Sequence, residues 1–98
     1  MNTYAIRRKN AWASPEDIPA KRSKEVADDE FPDDIRWIRS YVIAEEDGTL
    51  GSICIYQATS PEAIRKHAHR VGMPADDIQT VAKTVIIRPD PVNETVAS

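Results

Sequence analysis

An α+β sandwich is predicted by three features of the sequence. Ile35–Glu45 and Leu50–Ala58 are rich in β-branched and aromatic residues and flank Asp47-Gly48, which is a hairpin signal. Ser60 and Pro61 open, and Gly72 closes, an apolar-striped helix over Pro61–Val71, with Pro74 just beyond. A weaker strand and helix precede this block and one strand follows it, so the order reads β-α-β-β-α-β. With right-handed crossovers that order folds as a ferredoxin-like sandwich, a four-stranded antiparallel sheet with both helices on one face.

The elements are justified in turn. Tyr4–Arg8 is a short strand, with Tyr4 and Ile6 on one face and Ala5 and Arg7 on the other. Asn10–Ser14 is a loop. Ser14-Pro15 has the form of a helix start, but Pro19 interrupts it, so the first helix begins near Pro19. Ala20, Ser23, Ala27 and Phe31 recur there at helical spacing beside Val26, within a mostly charged segment that Pro32 ends. After the second helix, Ala75–Ile78 reads as a turn and Val81–Ile87 as the last strand, stopped by Pro89 and Pro91. The expected domain is residues 1–88, and residues 89–98 form a flexible tail that frays from Asp90.

Composition bounds the function. A chain of 98 residues is one domain with a small core. With 41% hydrophobic and 30% charged residues it is an ordinary globular sequence, and a net charge of −3 without a basic patch argues against nucleic acid as a partner. The run Arg7-Arg8-Lys9 reads as a solvated strand end. No apolar run reaches the length of a membrane helix, and the first residues lack a signal-peptide core, which points to the cytoplasm. The single cysteine, Cys54, cannot form an internal disulfide. Asn93-Glu94-Thr95 matches the glycosylation pattern and is noise without a secretion signal.

Two helices cover only one face of the sheet, yet both faces of the hairpin carry large apolar residues. A homodimer, sheet against sheet, is the expected remedy.

Candidate chemistry gathers in Ile35–His69, which holds Trp37, Tyr41, Tyr56, Cys54 and both histidines. The hairpin loop decides which of them share a face. A two-residue turn pairs Tyr41 with Cys54. A three-residue loop, Glu46-Asp47-Gly48 with a left-handed glycine, instead puts Ser40, Cys54 and Tyr56 on one face with Ile38 and Val42, and Glu-Asp-Gly suits this second form. On the second helix Ile64, Ala68 and Val71 point inward, His67 flanks them, and His69 faces solvent. His67 is then either a core-edge histidine bonded to Tyr, Ser or backbone, or a metal ligand or acid–base group beside Cys54 and Tyr56. Imidazole with thiolate or phenolate suits a divalent transition metal such as nickel, copper or zinc. Cys54 is otherwise buried filler. No Cys-x-x-Cys, His-Glu-x-x-His, phosphate-binding loop or nucleophile elbow is present.

Trp37-Ile-Arg-Ser40-Tyr41-Val, Cys54-Ile-Tyr56-Gln-Ala and Pro61-Glu-Ala-Ile-Arg-Lys-His67-Ala-His-Arg70-Val-Gly72-Met-Pro74-Ala together resemble the small nickel-responsive, ferredoxin-like proteins of bacteria, a family otherwise of unknown function. The resemblance runs from Ile35 to Ile87. It implies a dimer of βαββαβ subunits and nickel as the bound metal, with Trp37, Ser40, Cys54, Tyr56 and His67 at the family's recurrent positions. The charged first helix, interrupted by Pro19, and the Glu45–Leu50 turn depart from that pattern. The leading expectation is a cytoplasmic nickel-binding homodimer serving metal sequestration or response, with His67, Cys54 and Tyr56 as ligands. The alternative is a small dimeric enzyme of monooxygenase or isomerase type acting on an apolar substrate, with His67 as base and Tyr56 as donor.

Overall fold

The computed structural model of the chain describes residues 1–75 and 77–91. Strand β1 (Asn2–Trp12) is followed by helix α1 (Ala20–Glu30), strands β2 (Ile35–Ala44) and β3 (Leu50–Ala58), helix α2 (Pro61–Val71) and strand β4 (Asp77–Thr80), and a 3-10 turn occupies Pro15–Asp17. The four strands form one sheet in the order β2-β3-β1-β4, every neighbouring pair antiparallel. This is the expected ferredoxin-like α+β arrangement.

Period-two alternation sets the sheet's inner face. Tyr4, Ile6 and Arg8 of β1 are buried, as are Ser52, Cys54, Tyr56 and Ala58 of β3. Against them pack Ser23, Val26 and Ala27 of α1 and Ala63, Ile64, His67 and Ala68 of α2. Met73 joins them from the connection after α2, its Sδ 3.7 Å from Ser23 Oγ. Burying such side chains is what stabilises α1, because its mostly charged sequence supplies little helix stability of its own. A surface ion pair, Arg70 Nε to Glu30 Oε1 at 2.9 Å, also spans the two helices.

Helix α2 starts and stops where its cap residues dictate. Ser60 Oγ accepts from the Ala63 N–H at 3.2 Å, Pro61 takes the first helical position, and Gly72 sits at φ +74 with its N–H turned back on Ala68 and His69. The hairpin takes the three-residue form. Glu45 N–H donates to Thr49 O at 3.0 Å, Gly48 N–H to Glu45 O at 3.2 Å, and Gly48 adopts φ +89. Ser40 therefore lies opposite Cys54.

Three sequence expectations about the strands need correction. The last strand is Asp77–Thr80, not Val81–Ile87: Ile78 pairs with Ile6 and Thr80 with Tyr4. The connection leaving α2 is short, so β1 is already matched before the more apolar segment is reached. Val85, Ile86 and Ile87 are left 69%, 69% and 83% exposed. Second, Ile38 does not share the face of Cys54. It is the extra residue of a bulge between Trp37 and Arg39, which puts Trp37 opposite Tyr56 and leaves Ile38 exposed. Third, β1 runs well past Arg8, with an irregularity between Arg8 and Trp12 where Asn10 takes φ +50. At the start of the expected tail, Tyr41 Oη donates to the Asp90 carboxylate at 2.8 Å. The rest of the expected tail, residues 92–98, lies outside the described residues, and so does the glycosylation-like triplet.

Candidate functional site

The inner face of the sheet brings polar side chains together beneath α2. Cys54 and Tyr56 project from the same face of β3, two residues apart. Arg8 enters beside them because β1 pairs it with Ser52. Its Nε donates to Pro74 O at 2.5 Å and its Nη1 to Cys54 Sγ at 3.2 Å. Ser40 Oγ donates to the same sulfur at 2.9 Å and itself accepts from Trp37 Nε1 at 2.7 Å, while Ser52 Oγ lies 3.4 Å from Sγ. The Trp37 ring stacks on Tyr56 with centroids 5.5 Å apart, and Tyr56 in turn meets the His67 ring at 6.0 Å.

His67 is not at the flank of the helix stripe but inside it, fully buried, with Phe31 edge-on at 5.9 Å. Its Nε2 lies 2.8 Å from the Ser23 carbonyl oxygen. A carbonyl only accepts, so Nε2 carries the hydrogen and Nδ1 keeps a bare lone pair. Burial holds His67 below the ordinary histidine range, against the opposing pull of the Ser23 hydrogen bond, and the Arg8 charge acts in the same direction as burial. Burial also pushes the Tyr56 phenol up to about 12, although Arg8 works against that rise. Both rings are therefore neutral at physiological pH.

Of the three residues expected as metal ligands, Cys54 and Tyr56 share one strand face and the Tyr56 ring meets that of His67, but His67 makes no hydrogen bond to Cys54 or Tyr56. What the sequence reading missed is Arg8. Only 2% exposed, it is among the most buried side chains of the protein, not part of a solvated strand end. The signal was available: the alternation that puts Tyr4 and Ile6 on the inner face puts Arg8 there too.

Arg8 decides whether the cluster fits nickel. A divalent cation bound by Cys54 and His67 would sit within a few ångströms of a guanidinium whose N–H already occupies the sulfur. In so dry a setting like charges repel by several kcal/mol. No carboxylate belongs to the cluster, and among the described residues no group of three or more His, Cys, Asp or Glu side chains is placed to hold a metal ion. As arranged, these residues do not fit a divalent metal.

Among the described residues, Arg8 Nη2, Tyr56 Oη and His67 Nδ1 are buried without a hydrogen bond of ordinary geometry, although the Arg8 side chain lies close enough to Tyr56 to favour its ionised form. Buried polar groups are nearly always paired, so three orphans on neighbouring side chains set this place apart from the rest of the core.

Two grooves approach the cluster from outside. One of about 270 Å³ is lined by Ala20, Lys24, Trp37, Ile38, Arg39 and Ser40, and the other, about 290 Å³, by Arg7, Arg8, Lys9, Pro74 and Asp77. Among the described residues, no helix is long and apolar enough to cross a membrane.

Comparison with known proteins places this architecture. The crystal structure of SCO4226 from Streptomyces coelicolor A3(2) superposes with a TM-score of 0.62, covering 85% of this chain and 99% of that one at 15% identity. At that identity the likeness shows the fold. No curated protein matches the sequence. A family profile described as "Nickel responsive protein SCO4226-like" matches residues 4–81, from the first core residue of β1 to the end of β4. The chain belongs to the SCO4226-like family of nickel responsive proteins.

Proposed function

We propose that this protein is a small homodimeric binding protein of the cytoplasm that takes part in the cell's response to nickel. The observation that carries the reading is the family match across residues 4–81, which covers both helices and all of the sheet but the first two residues of β1. The lone buried Cys54 suits a reducing compartment. Ile53 and Ile55 alternate with Cys54 and Tyr56 and so point away from the helices, on the face a second copy would cover. The exposed Val85, Ile86 and Ile87 supply further apolar surface for that contact.

The reading does not route nickel through the interior cluster. Titration calorimetry of untagged protein with Ni²⁺ and Zn²⁺, joined to sedimentation, tests it. The expected result is saturable Ni²⁺ binding by a species about twice the 11.0 kDa chain mass. Absence of Ni²⁺ binding together with a monomer at micromolar concentration would sink the proposal. The sequence-derived ligands His67, Cys54 and Tyr56 are judged by the same titration on His67→Gln and His69→Gln. Loss confined to His67→Gln would assign the metal to the interior after all, with Arg8 displaced. Retention in His67→Gln would place the metal ligands elsewhere on the chain.

A further inference from the structure

Among the described residues, the exposed large apolar side chains other than Met1 fall into two sets. Val85, Ile86 and Ile87 follow β4, and Ile38, Tyr41 and Val42 lie on β2, with exposures from 42% to 83%. The first set belongs to an arm pinned at both ends. Val81 N–H donates to Thr3 O at 2.9 Å, and the Asp90 carboxylate accepts from Tyr41 Oη at 2.8 Å, with Arg39 Nη1 3.8 Å away. Between those points residues 82–89 are all exposed, and no described backbone hydrogen bond holds them. Thr84, Val85, Ile86 and Ile87 are nonetheless a run of strong strand formers. The second set belongs to an edge strand. In the order β2-β3-β1-β4, β2 has a neighbour on one side only, so its outward N–H and C=O groups face no other strand of the chain.

We infer that the arm of one copy lies along the β2 edge of a second copy, and reciprocally, so that Val85, Ile86 and Ile87 cover the second copy's Ile38, Tyr41 and Val42. A strand-forming arm without an edge and an edge without a strand fit each other by backbone pairing. Their side chains match as well. Tyr41 and Val42 point to opposite faces of β2, opposite Ile53 and Ser52 respectively, and Val85 and Ile86 point to opposite sides of an extended arm. The arm leaves the sheet beside β1 and returns on the outer face of β2, so it does not lie along the β2 edge of its own chain, and both apolar sets stay exposed there. A two-fold pair uses each set twice and leaves neither open, which selects a second copy of this chain as the occupant. The inference rests on the homodimer reading above and specifies what joins the copies. The arm lies beyond the residues 4–81 matched by the family profile, so the family relationship does not supply this contact.

Sedimentation equilibrium of the full chain tests it, with Ile86→Glu on the arm and Val42→Lys on the edge. Both positions are more than half exposed, so neither change disturbs the core of the subunit. The wild-type protein is expected near twice the 11.0 kDa chain mass. Each variant alone should raise the dimer dissociation constant at least about tenfold, since both of its arm–edge contacts then bury a charge against apolar side chains. An equimolar mixture of the two variants should recover most of that loss. In the mixed dimer one unaltered arm meets one unaltered edge, and the new carboxylate meets the new ammonium. Ile87→Glu, at the most exposed of the three arm positions, repeats the arm test if Ile86→Glu fails to fold. A wild-type monomer would overturn the homodimer reading and this inference together. A wild-type dimer undisturbed by Ile86→Glu would overturn the inference alone and leave the homodimer reading standing. Weakening in both variants without recovery in the mixture would show that arm and edge are not partners, and would overturn it equally.

Discussion

Gly51→Ala tests how tightly the open face of the sheet is built. Gly51 lies on β3 opposite Ile43 of β2, and on its other side β1 sets Lys9, Asn10 and Ala11 against this one residue. Into the space an added Cβ would take come the Arg8 carbonyl oxygen, the Glu45 carboxylate and, at 2.7 Å, Arg7 Nη1. The carboxylate is pinned there by Arg7 Nη2 at 3.0 Å and the Asn10 N–H at 3.1 Å, while Arg7 Nη1 also donates to Arg8 O at 2.8 Å. Side chains could swing away, but the Arg8 carbonyl belongs to the backbone of the central strand and cannot. Overpacking of this kind costs about 1–3 kcal/mol. Displacing the half-buried Arg7–Glu45 pair adds roughly 0.5–1 kcal/mol, and the lower entropy of the unfolded alanine chain returns about 0.4–1 kcal/mol. The net expectation is a loss of about 2 kcal/mol at the middle of these ranges, or on the order of 10 °C in melting temperature for a domain this size. Urea denaturation at fixed protein concentration measures it, with the slope of the transition unchanged. A Glu45→Ala change made on top of Gly51→Ala should recover only part of the loss, because the backbone overlap remains. A loss below about 0.5 kcal/mol, within the range of neutral surface changes, or complete rescue by Glu45→Ala, would refute the argument.

Two other perturbations give smaller, distinguishable effects. Gly72→Ala should cost about 1 kcal/mol: φ is +74, yet nothing lies within 4 Å of the added Cβ, so the loss is backbone strain alone. An unshifted urea midpoint would count against it. Buried His67 is held below 6.5, its ordinary value, by burial first and by Arg8, against Ser23 and Glu30. The unfolded chain therefore takes up a proton before the folded one does. The stability His67 protects is full above 6.5 and is lost as pH falls towards its depressed value, at no more than about 1.4 kcal/mol per pH unit. His67→Gln should flatten that part of the stability profile, and an identical acid slope in both proteins would argue against a buried neutral histidine.

Much of the frame is legible locally. Ser60, Pro61 and Gly72 act within one or two turns of chain, and Glu46-Asp47-Gly48 sets the hairpin register from three adjacent residues. What stayed hidden depends on distant parts of the chain. Val81–Ile87 has the better strand composition, but Asp77–Thr80 is the segment delivered to β1 by the short connection after α2, and pairing overrides propensity. The Ile38 bulge reverses the faces of β2 with no glycine to announce it. His67 is central because the Ser23 carbonyl, 44 residues away, meets its Nε2. Arg8 is the instructive case: three successive cations suggested solvent, while the alternation of the strand carrying them pointed the middle one inward.

That inward arginine also fixes the charge of the interior beside Tyr56 and His67. The frame shared with SCO4226 at 15% identity is a set of backbone ladders and apolar faces, which widely different sequences can build. Ligand chemistry depends instead on a few side chains. Exchanging Arg8 for an apolar residue would leave the backbone pairing of the sheet in place but take the positive charge out of the interior beside Tyr56 and His67. Tyr56 cannot supply the opposing charge, since burial keeps its hydroxyl protonated, and neutral His67 offers only a lone pair. The charge of the interior beside these two rings is therefore set on β1, at position 8, within the span that the family profile matches.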